Sequence, residues 1–289
     1  MAWAERALGS NARVVGWRRM TGGIIAAVHR LTIECTGHRC QLVLRQYEDA
    51  TAENARLVEQ EAAVLGAVGP ADLLAPELVA FSAAGIDTDG HPSLLMTRLP
   101  GHIYLSPTDP GAWLQQIART AASVHEAGVP APPFQRWADA ANRPIPVSAT
   151  RPHVWHAMSA VLRQQHGSPA SCFLHRDFQH FNFLWRRGRL TGVVDWSMAS
   201  TGPPEIDVGH CRLNLAVLFG VDWAERFRVA YEAETGRAVD PWWDLQAIAT
   251  YDDAWSRFIP VQVAGRVPVD SDGMTARVED LMESSLRRL

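Results

Sequence analysis

The chain has 289 residues, 47% of them hydrophobic, a formal net charge of -4 and a pI near 6.3. That length and apolar content suffice for a sizeable core in one or two domains, while the slight acidity gives no whole-chain basic footprint for nucleic acid. No run of about 18 apolar residues occurs, and the charged stretch from Met1 to Met20 lacks the apolar middle of a signal peptide, so the expectation is a cytoplasmic protein, monomer or homodimer, without a nucleic-acid or membrane partner.

Residues 14–47 read as strands. VVGWRRM runs into Thr21-Gly22-Gly23, IIAAVHRLTIE follows, and a TGHR turn leads to CQLVLRQYE; β-branched alternation around Gly-containing turns is the hairpin signal. Cys35 and Cys40 flank that turn; with His38 they give three potential ligands, short of the four a zinc site needs, and read as reduced structural thiols. Residues 52–68 place Leu57, Val58, Ala62, Leu65 and Val68 at helical spacing. Two further strands, ELVAF and SLLMTRL, complete a five-stranded α+β unit ending near Leu99. Beyond it, residues 111–127 form an amphipathic helix with Leu114, Ile117, Ala121 and Val124 on one face. Residues 128–148 are Pro-rich and irregular, 152–166 read as helix, 172–196 as two short strands joined by an RRGR turn, and the chain from 205 onward as mostly helical. The composition therefore divides into 1–98, small and β-rich, and 99–289, larger and helical.

The stretch from Leu174 to Trp196, LHRDFQHFNFLWRRGRLTGVVDW, carries the chemistry. Asp177 and Asn182 stand in an H-x-D-x-x-x-x-N pattern on a loop pinned by Phe173, Leu174, Phe181, Phe183 and Leu184, and Asp195 ends an apolar strand. A phosphoryl-transfer site needs one carboxylate to accept the proton of an attacking hydroxyl, and an amide and a second carboxylate to hold Mg²⁺. Asp177 is the candidate base, and Asn182 and Asp195 are the candidate metal ligands; a capped turn is the plain alternative. His175 reads as a structural support hydrogen-bonding the loop. Asp207 is expected to cap a helix beginning near Val208, to hold the catalytic loop, or to do both.

Upstream, Thr21, Gly22 and Gly23 offer backbone N–H groups to phosphates, although any hairpin uses such glycines. All 27 basic residues are arginine, so the cation for the α- and β-phosphates has to be an arginine, and Arg45 is the candidate. Glu61 is its expected partner, with Glu59 the competitor. The acids Glu205, Asp252 and Asp253, beside Trp242, Trp243, Tyr251 and Trp255, are candidate substrate contacts that would cradle amines; helix-surface acids over core aromatics are the other reading.

Taken in order, the Gly-containing turn, the basic strand, the helix with Glu, LMTRLPG, HRDFQHFN, VVDW and DVGH resemble the aminoglycoside phosphotransferase family over nearly the whole chain. The resemblance implies a protein-kinase-like two-lobe α+β fold and ATP, with GTP as the alternative donor. It also implies a base at Asp177, Mg²⁺ on Asn182 and Asp195, an Arg45–Glu61 pair, and backbone around Met96 to Arg98 meeting the adenine. The acceptor it implies is a hydroxyl of a small molecule, an aminoglycoside-type antibiotic being the leading candidate; a metabolic kinase of the choline or homoserine type and an inactive kinase-fold binding protein are the rivals. The family more often has Gly where Arg176 stands and His where Gln179 stands. His-Arg-Asp is the tripeptide of protein kinases, but Asp195 and Asp207 lie too close for a phosphorylation-controlled activation loop.

Overall fold

A computed structural model describes residues 2–20, 26–136, 139, 142–164, 166–167 and 170–289. Thr21, Gly22 and Gly23 lie outside the described residues. The first part of the chain is an antiparallel sheet in the order β1-β2-β3-β5-β4, built from β1 (Ala12–Arg19), β2 (Ala27–Cys35), β3 (His38–Gln46), β4 (Leu78–Ser82) and β5 (Ser93–Thr97). The β2–β3 hairpin closes through Thr36 and Gly37, at φ 45° and 80°, between paired Cys35 and His38. Positive φ at both central residues is what a two-residue hairpin turn demands. The four cysteines are free thiols.

One face of this sheet carries α2 (Ala52–Val68), started by the Thr51 hydroxyl, which accepts from the Asn54 N–H at 3.1 Å. Leu57, Val58, Ala62, Leu65 and Val68 are buried there as their spacing requires. The other face buries Leu31, Ile33, Leu42, Leu44 and Leu95 beneath a short helix, α1 (Ala2–Leu8). The sequence signal for α1 is slight, because a seven-residue helix shows barely two turns of periodicity.

After β6 (His102–Ile103) the chain becomes helical. α3 (Pro110–Glu126) begins at Asp109, whose carboxylate accepts from the Ala112 N–H, with Pro110 in its first turn. α4 spans Pro152–Leu162, shorter than the periodicity suggested. The motif region holds β7 (Cys172–Leu174), β8 (Phe183–Arg186) and β9 (Arg189–Val193), the last two turning through Arg187 and Gly188; β7 pairs with β10 (Ser200–Gly202), a pairing not evident from sequence. Then follow α5 (Glu205–Phe219), α6 (Val221–Thr235), α7 (Pro241–Ile248), α8 (Trp255–Val263) and α9 (Met274–Arg288).

α5 is buried on all sides, from Ile206 through Val217, so its polar residues must be satisfied inside the protein. Arg212, fully buried, is paired with Asp244 of α7 and Glu225 of α6. Gly209 sets how closely α5 approaches α7, since a Cβ there would lie 2.8 Å from the Trp243 carbonyl oxygen. Gly209→Ala is expected to cost about 1–3 kcal/mol by forcing the helices apart, read as a lower midpoint in urea unfolding; an unchanged midpoint would show that the crossing yields freely.

Candidate active site

The segment that carries Asp177 begins where β7 ends and is clamped by its own apolar residues: Phe173, Leu174, Phe178, Phe181 and Phe183 are all buried. Between them Asp177 is held at both oxygens. Oδ1 accepts from Gln179 Nε2 at 2.6 Å and lies 3.0 Å from His210 Nε2; Oδ2 accepts from Asn182 Nδ2 at 2.8 Å. Burial alone would raise the carboxyl's pKa, but the His210 hydrogen bond and charge, with the Asn182 bond, hold it below the ordinary aspartate value. Asp177 is therefore an anion whose direction is fixed.

Asp207 lies in the first turn of α5, which starts at Glu205, so it is not the cap of a helix beginning near Val208. Its Oδ2 accepts from the His175 N–H at 2.8 Å and its Oδ1 from the Arg176 N–H at 2.7 Å, tying down the backbone just before Asp177. Burial opposes its ionisation, while His125, 3.4 Å away, and the loop amides favour it; the net effect is a lowered pKa. His175 is fully buried, which depresses its pKa and keeps it neutral, and its Nε2 meets the Val194 carbonyl at 3.0 Å. Arg176 has φ 73°. A non-glycine residue in that region costs about 1–3 kcal/mol, which is a physical reason for the glycine that relatives by resemblance carry there.

On the sheet side, the Arg45 Nη1 lies 2.8 Å from both Glu61 Oε2 and Asp195 Oδ1. Of the two acids weighed on α2, Glu61 makes the contact, and its other oxygen accepts from the Trp196 N–H at 3.3 Å. Burial pushes the Glu61 carboxyl up to about 7, with Arg45 pulling against it. Asp195, at φ 69°, also accepts from the Ser197 hydroxyl at 2.9 Å on Oδ1, so Oδ2 is the oxygen it has left for a cation. The Asn182 nitrogen faces Asp177, leaving its amide oxygen as the second donor. The Val194 N–H donates to the Asn182 carbonyl at 3.0 Å, joining the two donor segments. Among the described residues no cluster of three or more His, Cys, Asp or Glu stands ready for a metal. A hard cation that draws its remaining ligands from phosphates and water fits this sparse oxygen set.

Asn182, Asp195 and Arg45 line one cleft of about 400 Å³, roofed by Met96 and Arg98. The Thr97 and Arg98 N–H groups already donate to the Glu77 and Gln41 carbonyls, so carbonyl oxygens and the Met96 side chain are what these residues offer a base. Arg18, Arg19, Arg30, Arg98 and Arg266 also line the cleft, a dense cationic surface for a polyphosphate. The expected acceptor acids are elsewhere. Asp253 accepts from the Val147 and Ser148 N–H groups, Asp252 pairs with Arg143 at 3.3 Å, and neither they nor Glu205 is among the residues that line the cleft of Arg45, Asn182 and Asp195.

A model of the phosphotransferase enzyme family matches residues 17–244. The chain belongs to that family. It is a kinase-type phosphotransferase, α+β with a β-sheet N-terminal region and a helical C-terminal region. Among solved structures it is similar to a thermostable mutant of an aminoglycoside phosphotransferase in ternary complex with ADP and hygromycin B (TM-score 0.61, 17% identity, 95% of this chain and 94% of that one). It is also similar to the macrolide 2′-phosphotransferase of Brachybacterium faecium (TM-score 0.57, 16% identity, 96% and 94%) and to an aminoglycoside-3′-phosphotransferase of type VIII (TM-score 0.56, 18% identity, 83% and 96%). At these identities the likeness is one of fold. No curated protein matches the sequence. Among the described residues, no helix is long and apolar enough to cross a membrane.

Proposed function

We propose that this protein transfers the γ-phosphoryl group of ATP, or of GTP, to a hydroxyl of a small molecule with Mg²⁺ as cofactor. The observation that carries the reading is a pair of hydrogen-bonded groups joined by the Val194 N–H on the Asn182 carbonyl: Gln179, His210 and Asn182 on Asp177, and Arg45 between Asp195 and Glu61. Asp177 takes the proton of the attacking hydroxyl, the one step that needs an oriented anion. Asn182 and Asp195 hold the Mg²⁺, which when bound would neutralise charge on the β- and γ-phosphates. Arg45, fixed by Glu61, meets the α- and β-phosphates as a bidentate donor where other kinases use an ammonium. Backbone from Met96 to Arg98 borders the base. His175 and Asp207 act through the loop and touch no reactant.

The reading is tested with purified protein, ATP or GTP and a library of hydroxyl compounds, nucleotide turnover being followed against Mg²⁺ concentration. Asp195→Asn is expected to lower acceptor-dependent turnover by about 10²–10³-fold, the scale of losing one charge that stabilises the transition state. Full turnover without a divalent cation would overturn the metal assignment. Mg²⁺-dependent nucleotide binding without transfer to any hydroxyl would instead indicate an inactive binding protein.

A further inference from the structure

The arginines that line the large cleft do not all stand where a triphosphate needs them, and strand register shows which do. Arg45 on β3 lies opposite Val28 of β2 and Leu94 of β5, in the row that reaches Asp195. One pleat period along the strands, about 7 Å, Val43 lies opposite Met96 on one side and Arg30 on the other, and Arg30 lies opposite Arg18 of β1. Directly opposed residues of antiparallel strands share a face, so Arg18 and Arg30 stand on the same face as Val43 and Met96, and all four line the cleft. The next row carries Arg98, whose N–H donates to the Gln41 carbonyl at 3.3 Å. Each row takes the strands farther from the Arg45–Asp195 contact.

Between the two ends the lining is apolar, with Val28, Val43 and Met96 from the sheet and Leu184 and Val194 from the β8–β9 side, a slot suited to a flat base. Arg18, Arg30 and Arg98 therefore mark a second cationic end, and Arg266, whose Nη1 is pinned to the Gln262 and Val263 carbonyls at 3.3 and 2.9 Å, joins it from the helical region. Asp195 is the only carboxylate in the lining. None of the four arginines makes an ion pair among the described residues, which include every Asp and Glu of the chain; residues 21–25 hold no acid. Arg30, Arg98 and Arg266 are half-buried. Like charges directly opposite each other on two strands destabilise a sheet, and a dianion whose oxygens match guanidinium forks removes that repulsion.

We propose that the outer end of this cleft is a second anion subsite, where Arg18, Arg30, Arg98 and Arg266 hold a phosphate group that is not part of the donor's triphosphate. Two sources share that chemistry: a phosphate on the nucleotide's own ribose, and a separate phosphate ion bound beside the nucleotide. The proposal rests on the nucleotide reading for what fills the apolar slot. The charge of the outer end stands apart from it, because Arg18, Arg30 and Arg98 are placed by strand register and not by the catalytic residues.

The test uses the full chain with Mg²⁺ and a matched pair of nucleotides, ADP and adenosine 3′-phosphate 5′-diphosphate, titrated by calorimetry. Inorganic phosphate is titrated separately into the free chain and into the chain saturated with a non-hydrolysable ATP analogue. The 3′-phosphate is expected to tighten binding by about tenfold or more, the usual size of one charge-assisted contact. Arg30→Gln is expected to bring that ratio down to about twofold or less, and Arg30→Lys to keep part of the gain. Arg13→Gln, on β1 but outside the cleft, should leave the ratio unchanged. The ratio cancels any loss common to both nucleotides, and Arg30→Gln should melt no lower than wild type, since it relieves the repulsion with Arg18. A ratio near one, with phosphate binding beside the nucleotide that disappears in Arg30→Gln, would support the subsite and assign it to the free anion. A ratio near one without such binding, or a gain that persists in Arg30→Gln, would overturn the proposal. Failure of both nucleotides to bind, with Arg30-dependent binding of phosphate to the free chain, would sink the nucleotide reading alone.

Discussion

Asp177→Asn is expected to lower turnover by about 10²–10⁴-fold, the range for losing a positioned general base, with nucleotide affinity within about threefold of wild type. The substitution is close to isosteric, and the loop has independent holds. Asn182 Nδ2 also donates to the Asp177 carbonyl at 2.8 Å, and Asp207 secures the two preceding amides. An amide oxygen at 177 still accepts from Gln179 and His210, so what disappears is the negative charge together with the acceptor that faced Asn182 Nδ2. Acceptor-dependent nucleotide turnover, beside nucleotide titration and a thermal melt, separates chemistry from folding. Retention of more than a tenth of wild-type turnover would remove Asp177 from the role of base. The pH dependence carries a sign. With its pKa below the ordinary aspartate value, the carboxylate is active above that point and is lost only as pH falls through it. Between pH 5 and 8 no loss of rate should trace to Asp177.

The largest stability effect is expected far from the cleft, at Glu279. This fully buried carboxylate on α9 accepts from the Thr150 N–H, the Arg151 N–H and the Trp155 indole N–H at 2.9, 3.0 and 2.9 Å, and pairs with the Arg151 guanidinium at 3.2 Å. Burial would raise its pKa, but those bonds together outweigh burial and bring it down to about 2. A folded pKa below the unfolded value of 4.5 stabilises the protein above pH 4.5, by about 3 kcal/mol at neutral pH. That contribution is lost as pH falls from 4.5 toward 2. Glu279→Ala leaves several donors and a guanidinium without their partner and should cost about 3–5 kcal/mol, seen as a melting point lower by about 6–15 °C at pH 7. At pH 3 the gap between variant and wild type should narrow. A variant melting within 2 °C of wild type at pH 7 would mean that water replaces the carboxylate.

Local features were readable in the sequence because local physics writes them. The Thr36–Gly37 turn, the apolar stripe of α3 and the five strands follow from turn chemistry and periodicity. HRDFQHFN and VVDW are contiguous, so the placement of Asp177, Asn182 and Asp195 needed only the pinning effect of their apolar neighbours. The omissions come from the angular position of side chains on buried helices and from distant partners. His210 reaches Asp177 across 33 positions, and its sequence neighbourhood, DVGHCR, reads only as helix. Arg45 meets Asp195 across 150 positions. Burial on every side of α5 was invisible too, because its polar residues break the amphipathic pattern while finding partners inside the protein. Asp252 and Asp253 show a different limit: an acid beside aromatics looks like an amine cradle, and the sequence gives no sign that these two also hold Arg143 and the backbone at Val147 and Ser148.

A chain with 27 arginines and no lysine has a cleft beside Arg45 without a single side-chain primary amine. Arg45 cannot lose its proton at any pH the fold survives, cannot form an imine, and gives acylating reagents nothing to react with. Dicarbonyl compounds that condense with guanidinium groups are the covalent chemistry to which it is open, and bound nucleotide is what would shield it.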